Sequence, residues 1–157
     1  MVGIDYGTVR IGLAICDPTR HWVNPLTTYN RRTERLDADY FKQVVSREGV
    51  AGWVIGLPIH CDGQESQKSA EVRAFATWLQ ELTRLPYRFV DERFSTAMAT
   101  RLLRPAELTR KKTKANIDRV AAMVILESFL EAKRHLDSSS QNNQALDDED
   151  TSDLNDE

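Results

Sequence analysis

The chain has 157 residues, 41% of them hydrophobic and 29% charged, a composition typical of one soluble globular domain. Its two cysteines, Cys16 and Cys61, form no CxxC pair, which argues against a zinc site or a disulfide framework and fits a reducing cytosol. Neither a signal-peptide pattern nor an apolar run of about 18 residues is present. We therefore expect a cytoplasmic protein with no membrane partner.

The formal net charge of −3 hides an uneven distribution. Residues 137–157 contain eight of the 24 acidic residues and none of the 21 Lys and Arg residues, so residues 1–136 carry a net charge of about +5. The C-terminal stretch is rich in Ser, Asn, Gln and Asp and cannot bury enough apolar surface to fold by itself. We predict a folded domain over 1–136 and a disordered acidic tail over 137–157, which either imitates nucleic acid or only keeps the protein soluble.

Hydrophobic periodicity divides the domain into three consecutive strands followed by alternating helices and strands. Such an order predicts an α/β fold with a mixed five-stranded sheet flanked by helices, in which the later strands are parallel and their carboxyl ends form the ligand-binding edge. The predicted strands are 2–6, 10–16, 23–29, 51–57 and 87–91. The predicted helices are 36–47, 66–82, 96–104 and 115–136, with a possible short helix over 106–110.

Three acidic residues occupy positions where an apolar side chain or a strand end is expected. Asp5 shares a strand face with Gly3, Glu92 directly follows a strand, and Asp118 borders the apolar stripe of the last helix. Carboxylates near a core are costly unless a cation or a proton compensates them. Three that converge at one sheet edge indicate a divalent-metal site.

Each acid also has a plain structural interpretation. Asp5 could hydrogen-bond the following turn, Glu92 could lie in a surface loop, and Asp118 could favour the N-terminal turns of its helix through the helix dipole. Asp91 and Glu92 point opposite ways if the strand continues, so only one of them is expected to face the site.

Basic residues surround the three acids in the sequence. Arg10 and Arg93 could neutralise the acids or bind substrate phosphates. His60 is the one histidine near the presumed site, and without a Ser or Cys partner of nucleophilic pattern it does not indicate a catalytic triad. Trp53 and Trp78 are predicted core residues. A predicted phosphate-binding surface before and within the last helix comprises Arg110, Lys111, Lys112, Lys114 and Arg119.

Four sequence blocks together resemble the YqgF family, also called RuvX, of Holliday junction resolvases and pre-16S ribosomal RNA nucleases. The resemblance covers about residues 1–134 and excludes the acidic tail, and here Met1 begins almost inside the first strand. It implies a ribonuclease H-like three-layer fold and a metal-dependent site at Asp5, Glu92 and Asp118. The blocks are GIDYGTVRIGLAICDP, VIGLPIHCDGQESQKSAEVRAFATWL, FVDERFSTAMATRLL and KANIDRVAAMVILESFLEA.

The resemblance and the acidic residues together predict hydrolysis of phosphodiester bonds. Three carboxylates can hold up to two Mg²⁺ or Mn²⁺ ions, roughly 3.5–4 Å apart, at which water attacks the phosphate. The resemblance favours processing of the 5′ end of pre-16S rRNA in ribosome biogenesis, with resolution of Holliday junctions in branched DNA as the alternative. The sequence itself does not distinguish RNA from DNA.

Two other functional classes stay open. The chain could be a non-catalytic nucleic-acid-binding module whose acids are only structural. The IDYGT segment also resembles the phosphate-binding hairpin of actin-like and sugar-kinase ATPases, but those proteins close two such domains around a nucleotide, and this chain has one such block.

Overall fold

The first thirty residues form an antiparallel meander of three strands. The strands are β1 (Val2–Tyr6), β2 (Arg10–Cys16) and β3 (Val23–Asn30). This computed structural model describes residues 1–58, 66–91 and 110–149, and it describes the side chains of the last segment over 116–137. The meander confirms the three strands that are predicted at the start of the chain.

Two further strands extend the sheet on the other side of β1. They are β4 (Trp53–Leu57) and β5 (Tyr87–Asp91), and the complete order is β3-β2-β1-β4-β5. β4 runs parallel to β1 and β5 runs parallel to β4, so the sheet is mixed as predicted. The carboxyl ends of β1, β4 and β5 therefore lie at one edge.

Helices cover both faces of this sheet. α1 (Glu34–Glu48) and α2 (Gln67–Thr83) pack on one face, and α3 (Arg110–Glu149) packs on the other. Thr33 caps the start of α1, and Gly49, with φ 58°, ends it, because glycine adopts the left-handed conformation without strain. No helix in the described ranges is long and apolar enough to cross a membrane.

Alternation along the strands produces a separate hydrophobic cluster on each face. The α1/α2 face buries Val2 and Ile4 of β1 with Phe41 and Phe75 of the two helices. The α3 face has a smaller cluster that includes Val54. The full membership of that second cluster is Cys16, Val54, Ile125, Leu126 and Leu130.

The last helix differs from its prediction at both ends. Its predicted range was 115–136, whereas the helix spans Arg110–Glu149, so residues 137–149 are helical where a disordered segment was expected. The composition of this stretch is polar, but it contains no Gly or Pro to interrupt the backbone hydrogen bonds. The division of the chain at residue 136 stays a prediction, and the predicted helix 96–104 lies outside the described residues.

Candidate active site

Asp5 lies near the carboxyl end of β1 and on the face of the sheet that α3 covers. Strand alternation gives it the same face as Gly3, which contacts Ala122 and Leu126 of α3. Asp5 is partly buried and pairs across the β1–β2 ladder with Gly12. The predicted face of Asp5 is therefore confirmed.

Two glycines let α3 approach the sheet closely at this position. A Cβ atom on Gly12 would lie 2.0 Å from the backbone oxygen of Asp118, and one on Gly3 would lie 2.6 Å from that of Ala122. Only residues without a side chain fit such distances. The glycines thus set the depth of α3 against β1 and β2.

Asp118 comes to the same part of the sheet through this contact. Its backbone touches Gly12, and Gly12 is the cross-strand partner of Asp5. Cross-strand neighbours are about 5 Å apart, so Asp5 and Asp118 belong to one small region of the α3 face. Although 108 positions of sequence separate Arg10 from Asp118, the fold brings both to this region.

Arg10 forms an ion pair with Asp118. Its Nε donates to Asp118 Oδ2 over 2.7 Å, and the two side chains are 34% and 18% exposed. Of the two roles open to Arg10 in the sequence, the structure shows neutralisation of an acid. That acid is Asp118.

The third predicted carboxylate, Glu92, comes directly after β5 in the sequence. Tyr87 and Phe89 pack against the α1/α2 cluster, so alternation gives Asp91 the same face, away from Asp5. Asp91 therefore lies on the α1/α2 face, whereas Asp5 lies on the α3 face. Glu92 lies outside the described residues, as do Arg93, His60 and Cys61.

The predicted basic surface is only partly described. Arg119 donates to Asn116 one turn earlier on α3, and both are partly buried. The backbone of the residues at 110–112 and 114 belongs to the start of α3. Their binding role, like that of Arg119, stays a prediction.

The donor chemistry of the site suits a hard divalent cation. Asp5 and Asp118 offer carboxylate oxygens, which Mg²⁺ and Mn²⁺ prefer. Within the ranges that the structure describes, no three His, Cys, Asp or Glu residues are grouped closely enough to hold a metal ion. The chemistry of the two described acids therefore fits part of a divalent-metal site.

A buried acid lies on the opposite face of the same sheet edge and escaped the sequence prediction. Asp37 of α1 is 2% exposed. It accepts hydrogen bonds from Tyr29 Oη (2.8 Å), Arg31 Nε (3.1 Å) and the backbone N–H of Arg32 (2.9 Å). Burial acts to raise the pKa of Asp37, but these bonds outweigh it and hold the pKa below its ordinary value.

The network extends to the residue next to Asp5. Arg31 Nη1 donates to Tyr6 Oη over 2.9 Å, so the end of β1 is tied to the start of α1. The sequence pattern that indicated Asp118 also applies to Asp37, because Asp37 lies on the apolar stripe of α1 with Phe41 and Val44. An acid on such a stripe requires a partner wherever it occurs.

Residues 1–132 of the chain match one family model, described as RuvX, Holliday junction resolvase. A protein of Rhodopirellula baltica named "Putative pre-16S rRNA nuclease" is 54% identical over 135 residues, which cover 86% of this chain and 78% of that protein. A protein of the same name from Moorella thermoacetica is 40% identical over 131 residues, covering 83% and 94%.

Solved structures give a more distant likeness. RuvC of Thermus thermophilus in complex with a Holliday junction substrate has a TM-score of 0.55 at 12% identity, covering 85% of this chain and 96% of that chain. A second structure of Thermus thermophilus RuvC has a TM-score of 0.51 at 14% identity. At this identity the likeness concerns the fold alone, and it confirms the predicted ribonuclease H-like architecture.

Proposed function

The chain belongs to the RuvX family, and from that premise we propose that it is an endonuclease that requires Mg²⁺ or Mn²⁺ and hydrolyses phosphodiester bonds in structured nucleic acid. The observation that carries the proposal is the close packing of α3 against Gly12. This contact brings Asp118 near Asp5, which is the cross-strand partner of Gly12. Glu92, the residue after β5 in the sequence, is proposed as the third carboxylate.

The acids would bind the metal, and the basic residues would hold the substrate. When bound, the ions supply an activated water and stabilise the leaving oxygen. Asp5, Glu92 and Asp118 would hold them through carboxylate oxygens. Arg10 orients Asp118 through its 2.7 Å hydrogen bond, and Arg93, Arg119 and the basic residues of 110–114 would contact neighbouring phosphates.

We propose the 5′ end of pre-16S rRNA as the substrate. Support comes from the name shared by curated relatives up to 54% identical. The family model matches residues 1–132, a range that includes Asp5, Gly12 and Asp118. Such processing would take place in the cytoplasm, where precursor rRNA is matured.

The second candidate function is cleavage of branched DNA. It is favoured by the description of the family model and by the fold shared with a resolvase bound to a Holliday junction. A resolvase needs two active sites in symmetric register on one junction, whereas an RNA-trimming enzyme can act as a monomer. The two functions therefore differ in substrate and in cleavage pattern.

A direct comparison of the two substrates tests the proposal. The purified protein is incubated with end-labelled precursor rRNA that has a 5′ extension and with a synthetic four-way DNA junction, each with Mn²⁺ and with a chelator. We expect Mn²⁺-dependent shortening of the RNA and no paired nicks in the junction. Cleavage of the junction alone would establish the second candidate, and cleavage of neither would contradict a nuclease and favour a binding module.

A further inference from the structure

A cavity of about 330 Å³ opens on the α1/α2 side of the sheet edge, opposite the face of Asp5. Its walls come from the end of β1, the start of α1 and the exposed side of α2. A volume of this size is at the lower end of the range of small-molecule sites. The lining of the cavity includes Tyr6, Arg31, Arg32, Glu71, Phe75 and Trp78.

One guanidinium group is fixed at the floor of this cavity. Arg31 is held by Asp37 through Nε and by Tyr6 through Nη1, and its Cζ lies 5.4 Å from the centre of the Tyr6 ring. The side chain nevertheless stays 28% exposed. Arg31 is therefore a preorganised and partly exposed cation in the lining of the cavity, beside the exposed Arg32.

An aromatic wall stands beside these two arginines. The rings of Phe75 and Trp78 lie 5.6 Å apart, and Phe75 is buried while Trp78 is partly exposed. The sequence predicts Trp78 as a core residue, but only part of it packs into the core. Trp78 is therefore a partly exposed aromatic side chain in the lining of the cavity, and an accessible indole of this kind can stack a nucleobase.

The carboxylates that line the cavity indicate a ligand that also carries hydrogen-bond donors. Asp37 is occupied by three hydrogen bonds, but Glu34 and Glu71 also line the walls. Free phosphate would be repelled by these two acids. A nucleobase suits them, because carboxylate oxygens accept hydrogen bonds from the amino groups of bases.

The cavity is adjacent to the candidate active site. Tyr6, whose hydroxyl is bound by Arg31, directly follows Asp5 on β1, and the two side chains point to opposite faces. Successive Cα atoms are about 3.8 Å apart. One strand of nucleic acid that crosses this edge can therefore reach both places.

We propose that this cavity binds one unpaired nucleotide of the substrate strand, with its base stacked on Trp78 and its phosphate against Arg31 and Arg32. The proposal rests on the proposed function only in taking nucleic acid as the substrate. It assigns the α1/α2 face a role in selecting single-stranded segments next to the cleavage site.

Binding without cleavage is the appropriate measurement. Affinities for a fluorescently labelled 12-nucleotide RNA and for an abasic strand of the same length are measured by anisotropy in the presence of a chelator. We expect Trp78→Leu and Arg32→Gln each to weaken binding of the RNA about fivefold or more. Trp78→Leu should leave binding of the abasic strand unchanged, since that strand has no base to stack.

Matched controls lie at other parts of the molecule. Arg47→Gln removes an exposed arginine at the far end of α1, and Trp22→Leu removes a tryptophan that is 74% exposed on the β2–β3 loop. Both should bind the RNA like the wild type. Because Trp78 also contacts Phe41, thermal unfolding of its variant is recorded, and the exposed Arg32 supplies the second, structurally mild variant.

The outcomes separate the cavity from the nuclease. Wild-type affinity in Arg32→Gln and in folded Trp78→Leu would overturn the cavity proposal while metal-dependent cleavage could still stand. Loss of binding in both variants, in a protein that cleaves neither test substrate, would uphold the cavity and contradict the nuclease.

Discussion

At the residue scale, two acids on the helices that cover the sheet are each paired with an arginine. Asp37 and Asp118 lie on helices that cover opposite faces of the sheet, and each accepts a hydrogen bond from an arginine located at the sheet edge. The two pairs differ in exposure, because Asp37 is 2% exposed and the Asp118 side chain is 18% exposed. The first pair is therefore expected to stabilise the fold more strongly than the second.

Replacement of Asp37 by Asn tests the buried pair. The free energy of unfolding should fall by about 3 kcal/mol at pH 7, because Arg31 loses its charged partner in a buried position. In the folded protein the pKa of Asp37 lies below its ordinary value of 3.8. The contribution of Asp37 to stability is therefore complete above pH 3.8 and is lost as the pH falls through the folded pKa.

Urea unfolding of both proteins between pH 7 and pH 3 measures this effect. The difference between wild type and Asp37→Asn should be constant down to about pH 4 and should shrink below it. A difference that grows toward low pH would contradict the assignment. Asp39→Asn, an exposed position on the same helix, is the control and should change stability by less than about 0.5 kcal/mol.

Replacement of Arg10 by Gln tests the more exposed pair. Because solvent screens both side chains, we expect a loss of stability of about 1 kcal/mol or less. The rate of RNA cleavage should fall about tenfold or more, since Asp118 loses the group that orients it. If the cleavage rate falls only slightly, like the thermal stability, Arg10 has a structural role alone.

At the element scale, the contact between α3 and the β1–β2 pair decides where Asp118 lies. Gly12→Ala adds a methyl group where the backbone oxygen of Asp118 is 2.0 Å away, so α3 must move. We expect a loss of about 1–3 kcal/mol in stability together with loss of cleavage. Gly49→Ala, which is strained by φ 58° but has no atom within 4 Å of the added Cβ, should lose stability and keep its cleavage rate per folded molecule.

The outer part of α3 should contribute little to the stability of the domain. Leu130 is the last buried residue of the described side chains, and residues 131–137 are exposed. A chain that ends at Leu136 should unfold within about 0.5 kcal/mol of the full chain, whereas Leu130→Ala in the full chain should cost about 2–5 kcal/mol. Substantial destabilisation of the shortened chain would show that residues 137–149 pack on the domain.

At the scale of the whole molecule, much of the architecture could be predicted from periodicity. Alternation along β1 predicted the faces of Asp5 and Gly3, and the order of elements predicted the mixed sheet with its parallel half. These features follow from local geometry. Each requires only the side-chain period of a strand or the length of a connection.

Other features depend on contacts that no local pattern contains. The pairing of Arg10 with Asp118 spans 108 residues, and the sequence offers Asp5 as an equally close candidate. The network of Asp37 with Tyr6 joins three elements. Composition also predicted disorder for residues 137–149, because composition does not register that a helix already begun continues where no Gly or Pro stops it.

The central claim, that Asp5 and Asp118 belong to one metal-dependent site, is tested most directly by the Mn²⁺-dependent rate of RNA cleavage in conservative variants. Asp5→Asn and Asp118→Asn should each lower the rate roughly a hundredfold or more while the proteins stay folded, and Asp39→Asn should cleave like the wild type. A folded Asp5→Asn or Asp118→Asn protein that cleaves at the wild-type rate would contradict the claim.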